Sequence, residues 1–246
     1  MLTPFSAVPA SERIIVALDM GATEAKAAAS RLAGKAAWVK VGMTLYYAEG
    51  PRIVSELKDM GLRVFLDLKF HDIPHQVQGA AYSACASGAD MLTMHAVGGS
   101  AMMSAAAEGA ARAAADAGRE APITLGITVL TSMDDATLAA TGVTRPMADQ
   151  VRALATQAVD AGLSGVVASP MEARMLREAL GADAYIVTPG VRPAGSQRGD
   201  QSRVATPSSA FAAGASHIVV GRPITQADDP IAAFEAIARE VDGCAQ

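Results

Sequence analysis

Short apolar runs rich in β-branched residues recur along the chain. They are IIVALD from Ile14, WVKVG from Trp38, RVFLDL from Arg63, MLTMHA from Met91, ITLGITVL from Ile123, GVVAS from Gly165, AYIVTPG from Ala184 and HIVVGR from His217. Seven intervals separate Ile14 from His217 and average 29 residues, close to the roughly 30-residue length of a strand-helix-strand unit. The runs are mostly apolar throughout and do not alternate, the pattern of parallel strands covered on both faces. Between them lie alanine-rich amphipathic stretches with helix signals at their ends. Thr23 precedes Glu24 and an alanine run that stops near Gly34; Pro51 lies in the next segment, which ends at Gly61; Pro74 sits in a first turn; Gly118 and Gly162 are stops; Asp229-Pro230 opens the last helix. Eight such repeats predict an α/β fold, one closed (β/α)8 TIM barrel over residues 1–246 as a single domain, with no Pro- or Ser-rich linker to divide it. A doubly wound open sheet is the competing arrangement, and the lack of a GxGxxG after the first run counts against it.

Two intervals are long. Ile123 to Gly165 spans 42 residues, with the excess in TSMDDATLAATGVTRP. After the seventh run, RPAGSQRGDQSRV (192–204) carries three arginines, two glycines and little apolar content. Such a segment cannot pack as a core element and is expected to be a mobile loop over the site face.

Composition narrows the class. The chain is 51% apolar with abundant alanine, which favours helix and excludes disorder. A net charge of −5 without a basic run argues against nucleic-acid and anionic-membrane partners, while leaving room for a local cluster that holds an anionic small molecule. No apolar stretch approaches the roughly 18 residues of a membrane span, and MLTPFSAVPASER lacks a basic segment followed by an apolar one, so a soluble cytoplasmic protein is expected. Cys85 and Cys244 fit no metal spacing and no disulfide framework, and the four histidines fit no HExxH pattern; neither a metal nor a disulfide is expected.

Barrels of this type place their chemistry at the C-terminal ends of strands. The polar residues there are Asp19, Lys40 inside the second run, Asp67 and Lys69, His95, Thr131, Ser169, Arg192 and Arg222. In FLDLKFHDIPHQV, strand alternation puts Asp67 and Lys69 on one face and Leu66 and Leu68 on the other. Lys40 is flanked by apolar residues and should also point inward, and Asp72 follows where the strand should end. Buried charges cost several kcal/mol each unless paired, so two carboxylates and two ammoniums are expected as an alternating array. A lysine between carboxylates stays an ammonium, a poor Schiff-base nucleophile but a good proton donor to a carbanion. A fixed carboxylate repels an anionic substrate group, and the repulsion is relieved when that group leaves as a neutral molecule. This combination suits decarboxylation without a cofactor. Gly221-Arg222 follows the eighth run, where backbone N–H groups and an arginine commonly take a phosphate, and Arg192 and Gln201 can close over the same anion.

On these residues the chain resembles the orotidine 5′-phosphate decarboxylase family. DLKFHDIP matches its Asp-x-Lys-x-x-Asp signature, supported by KVG at Lys40, VLTS at Val129, PGVRP at Pro189, GDQ at Gly199 and VVGRPI at Val219. The resemblance implies conversion of orotidine monophosphate to UMP without metal or organic cofactor. It implies that Asp19 and Lys40 contact the ribose hydroxyls, that Asp67 sits against the substrate carboxylate and that Lys69 protonates the carbon that loses carbon dioxide. By the same resemblance Asp72 is contributed across a homodimer interface, Thr131 lies near the pyrimidine, and Arg192, Gln201, Gly221 and Arg222 hold the phosphate under a lid at 192–204. His71, His75, His95 and His217 receive no catalytic role, His217 being placed on the stability face.

The nearest alternative is the keto-gulonate phosphate decarboxylase and hexulose phosphate synthase group, which shares the Asp-x-Lys-x-x-Asp segment but holds magnesium partly through a glutamate on the second strand. Here that position is Lys40, whose charge would repel a divalent cation. A catalytically silent barrel that binds a phosphorylated ligand is the alternative from another class, and the intact charged array stands against it.

Overall fold

The structure, a computed structural model, describes residues 4–193 and 205–243. Each apolar run forms a strand: β1 (Ile14–Ala17), β2 (Trp38–Gly42), β3 (Arg63–Phe70), β4 (Met91–His95), β5 (Ile123–Ile127), β6 (Gly165–Val167), β7 (Tyr185–Thr188) and β8 (His217–Val220). All neighbours pair in parallel in chain order and β1 closes on β8, giving a closed eight-stranded barrel. The helices between them are α1 (Ala22–Leu32), α2 (Met43–Glu49), α3 (Arg52–Asp59), α4 (Pro74–Ala86), α5 (Ser100–Asp116), α6 (Asp135–Ala140), α7 (Met147–Asp160), α8 (Ala173–Leu180), α9 (Pro207–Ala212), α10 (Arg222–Thr225) and α11 (Pro230–Gly243). None is long and apolar enough to cross a membrane among the described residues.

Alternation along the strands divides the core in two. Ile15, Ala17, Trp38, Phe65, Met91, Leu125, Val187 and Val219 pack against one another inside the barrel. Their chain neighbours, among them Val16, Val39, Leu66, Leu92, Val166 and Ile218, join the larger core beneath the helices. The strands are therefore apolar on both faces, as the continuous runs require. At the bottom, a short 3-10 turn (Pro4–Ala7) brings Phe5 onto Tyr185 and His217, closing the barrel.

The helix signals hold in most places. Pro74 occupies the first turn of α4, Asp229 Oδ1 accepts the Ile231 and Ala232 N–H groups at the start of α11, and left-handed Gly118 and Gly162 follow α5 and α7. Two details differ. Helix α1 begins at Ala22 behind Gly21, one residue before Thr23, so no side chain caps it. The long segment after β5 folds part of its length into α6, whose first turn is capped by Asp134 accepting the Thr137 N–H at 2.8 Å.

Candidate active site

Continuing the inward-facing register of the barrel toward the C-terminal ends of the strands changes its chemistry from apolar to charged. Above Ala17, Phe65 and Val219 opens a cavity of about 900 Å3, whose lining includes Asp19, Lys40, Asp67, Lys69, Thr131, Arg192, Gly221 and Arg222. Eight of the ten residues to which the resemblance assigns a role thus meet in one space, while His95 and Ser169 do not line it. Gln201 lies outside the described residues, as do Cys244 and most of 192–204. The near end of that segment is held in place: Val191 bridges Ala205, and the buried Arg192 donates its backbone N–H to Ala205 O at 2.9 Å.

The charged groups form a chain. Lys40 Nζ lies 2.8 Å from Asp19 Oδ1 and 3.7 Å from Asp67 Oδ2; Lys69 Nζ lies 2.8 Å from the same Asp67 oxygen. The side chains of Lys40 and Asp67 are only 10% and 13% exposed, so their mutual pairing is what makes burial tolerable. Burial pushes the Asp67 carboxyl upward, but the Lys40 and Lys69 ammoniums, with hydrogen bonds from Lys69 and Thr93, outweigh it and hold Asp67 below the usual carboxylate range. It is an anion at neutral pH. Gly42 makes room for this arrangement: a Cβ there would stand 3.0 Å from Asp19 Oδ1 and 3.2 Å from Lys40 Nζ.

Asp67 and Lys69 meet, but not by regular strand alternation. The β3–β4 register shifts between Leu66 and Phe70, and Lys69 adopts φ 55°, the left-handed region that non-glycine residues seldom occupy. A period-two reading cannot register such a bulge. Asp72 corrects the expected array in a second way. Within one chain it is exposed, its carboxylate accepts the Ile73 N–H at 2.7 Å, and it does not line the cavity. The second carboxylate of the intrachain array is Asp19.

The residues expected to hold an anion come from the β7–β8 side of the mouth. In an eight-stranded barrel β3 and β7 stand opposite each other, so Asp67 and Lys69 face Arg192 across the cavity, with Gly221-Arg222 after β8 between Arg192 and the Asp19 end of the charged chain. The arrangement provides a cationic end for a phosphate and a mixed-charge end for a reacting group, separated by a floor of Ala17, Phe65, Ile127, Val167 and Val219.

Among the histidines, His95 ends β4 with its ring centroid 5.4 Å from that of His71; burial first, then the His71 and Lys69 charges, lower its pKa and keep it neutral. His217 sits at the barrel floor, far from the mouth. Thr93, on the inward face of β4, is the residue sequence reasoning passed over. The only signal was its phase with Met91 and His95, and a threonine in a strand is ordinary.

A family model described as "Orotidine 5'-phosphate decarboxylase / HUMPS family" matches residues 12–237. The chain is 51% identical over 235 residues to a protein of Moorella thermoacetica named orotidine 5′-phosphate decarboxylase, covering 95% of this chain and 93% of the other. It is 48% identical over 240 residues to a protein of the same name from Synechococcus sp. strain WH7803, covering 97% and 98%. The crystal structure of orotidine 5′-phosphate decarboxylase from Lactobacillus acidophilus superposes with a TM-score of 0.84 at 41% identity, over 94% of this chain and 99% of that one.

Proposed function

The chain belongs to the orotidine 5′-phosphate decarboxylase / HUMPS family, and we propose that within it this protein converts orotidine 5′-phosphate to uridine 5′-phosphate and carbon dioxide using its own side chains alone. The observation that carries this reading is the Lys40 ammonium, 3.7 Å from Asp67 Oδ2 and 2.8 Å from Asp19 Oδ1. A fixed monovalent cation already bridges the two carboxylates that a divalent ion would otherwise draw on, and a second cation beside it would be repelled.

In the proposed reaction the phosphate is anchored by Arg192, Gln201, Gly221 and Arg222, and Thr131 stands near the pyrimidine. Asp19 and Lys40 take the ribose hydroxyls. This places the substrate carboxylate against Asp67. Two unit charges about 4 Å apart repel by about 4 kcal/mol at an effective dielectric of about 20, and that repulsion ends when the carboxylate leaves as neutral carbon dioxide. The carbon–carbon bond breaks, its electron pair stays on the ring carbon, and Lys69 Nζ delivers a proton to that carbon. Phosphate binding at the far end holds the carboxylate in place against the repulsion.

The reading includes a homodimer in which Asp72 of each copy enters the partner's site. Its support is the exposure of Asp72 within one chain, together with exposed Ile73, Val97 and Leu130 on the neighbouring loops after β3, β4 and β5. The reaction is tested by following the loss of orotidine monophosphate absorbance in excess EDTA. Full turnover is expected; no turnover, or turnover only on adding magnesium, overturns it.

A further inference from the structure

Leu66 pairs with Leu92 and Phe70 pairs with Met94, so Asp67, Leu68 and Lys69 together face a single residue of β4, Thr93. The ladder is broken there, and the side chain of Thr93 fills the break. Its Oγ1 accepts the Lys69 backbone N–H at 3.0 Å and donates to Asp67 Oδ1 at 2.9 Å. A hydroxyl has one hydrogen, so once the amide occupies a lone pair the proton can be aimed at the carboxylate without competition. Thr93 is 0% exposed, so water does not substitute for either bond. Its β-branched side chain is also stiff about χ1, which fixes the direction of both.

We propose that Thr93 is a positioning residue for the decarboxylation, its hydroxyl joining the left-handed backbone of the proton donor to the carboxylate that faces the substrate. The inference rests on the reading of the reaction given above. With Oδ1 held by Thr93, Asp67 must turn Oδ2 toward Lys69 Nζ at 2.8 Å and Lys40 Nζ at 3.7 Å. Without the hydroxyl, the carboxylate is free to rotate and share both oxygens with the ammoniums. The Lys69 N–H then has no acceptor to hold its φ of 55°. Both changes move the donor and the anion relative to each other while leaving the phosphate end untouched.

The test compares Thr93→Val, which keeps the shape and removes the hydroxyl, with Thr93→Ser, which keeps the hydroxyl. Losing a hydrogen bond to a charged group predicts a fall in kcat of about 10- to 100-fold for Thr93→Val, with KM changed by less than about threefold and Thr93→Ser within about threefold of the parent. Asp67 is faced by Lys40 from β2, by Lys69 on its own strand and, less closely, by His95 at the end of β4. None of these is substituted in either variant. The acid limb of the kcat/KM profile should therefore rise in pH for Thr93→Val and return for Thr93→Ser, a response that a merely structural threonine would not produce. Should Thr93→Val fail to give the parental far-UV dichroism, Thr93→Ala is measured in its place. An unmoved acid limb, a loss confined to KM, or a serine variant no better than valine overturns the role of Thr93. An inactive parent protein overturns instead the reaction on which it rests.

Discussion

In the proposed reaction, Lys69 concentrates the chemistry and the backbone strain in one residue. Its φ of 55° costs on the order of 1–3 kcal/mol, which the surrounding bonds must hold in place. The return is an ammonium 2.8 Å from Asp67 on the cavity wall. Lys69→Ala should lower turnover by at least about a thousandfold, the upper range for a positioned proton donor, while UMP still binds through the opposite end of the cavity. Single-turnover product formation and calorimetric UMP binding measure the two separately; near-parental turnover would remove Lys69 from the reaction. The charges of Asp19, Lys40, Asp67 and Lys69 were legible in the sequence because polar residues stand out at the ends of apolar strands. Their connectivity was not. A bulge leaves the residue order unchanged, so alternation reached the right pair through the wrong geometry, and Thr93 and Gly42, which hold and make room for the array, have no charge to attract notice.

At the scale of elements, the eight strands begin within a residue of the runs that predict them, because burial on both faces leaves an uninterrupted apolar signature. Their ends were harder to read. Asp19, Thr131 and Arg222 lie beyond β1, β5 and β8, in loops or the short α10, where polarity no longer reports on pairing. The opposite end of the barrel holds the clearest titration. His217, which starts β8, stacks on Tyr185 at 5.7 Å and meets Trp38 edge-on at 5.9 Å. Burial above all, then the Arg13 and Arg63 charges, lowers its pKa from 6.5 to about 3. The unfolded chain therefore binds a proton that the folded chain refuses between about pH 6.5 and pH 3, and stability falls as pH falls through that window. Between pH 7 and pH 4.5 the loss from this residue should be about 2–3 kcal/mol. Urea unfolding of the parent and His217→Gln at both pH values isolates it: the difference between the two proteins should shrink by that amount on acidification, and a constant difference would show that His217 is not buried as a neutral ring.

For the whole molecule, the net charge of −5 and the chemistry of the site belong to different regions. Lys40, Lys69, Arg192 and Arg222 line a single cavity, so an acidic protein presents a locally cationic mouth to a doubly anionic phosphate. Among the described residues the barrel elements run from β1 at Ile14 to the end of α11 at Gly243, and in the proposed homodimer a second copy stands at that mouth. Asp72 decides whether the proposed second copy matters chemically. In a dimer with composite sites, mixing Asp72→Ala and Lys69→Ala chains creates hybrids with one site that has both native residues and one that has neither. Random pairing makes half of the dimers hybrids, so roughly a quarter of all sites, and of the parental activity, should return. If Asp72 acts within its own chain, every site in the hybrid still lacks one residue and nothing is recovered. The measurement is orotidine monophosphate turnover before and after the two inactive proteins are mixed under conditions that exchange subunits, with exchange confirmed by native mass spectrometry. Recovery places Asp72 in the partner's site, and exchanged but inactive dimers would confine it to its own.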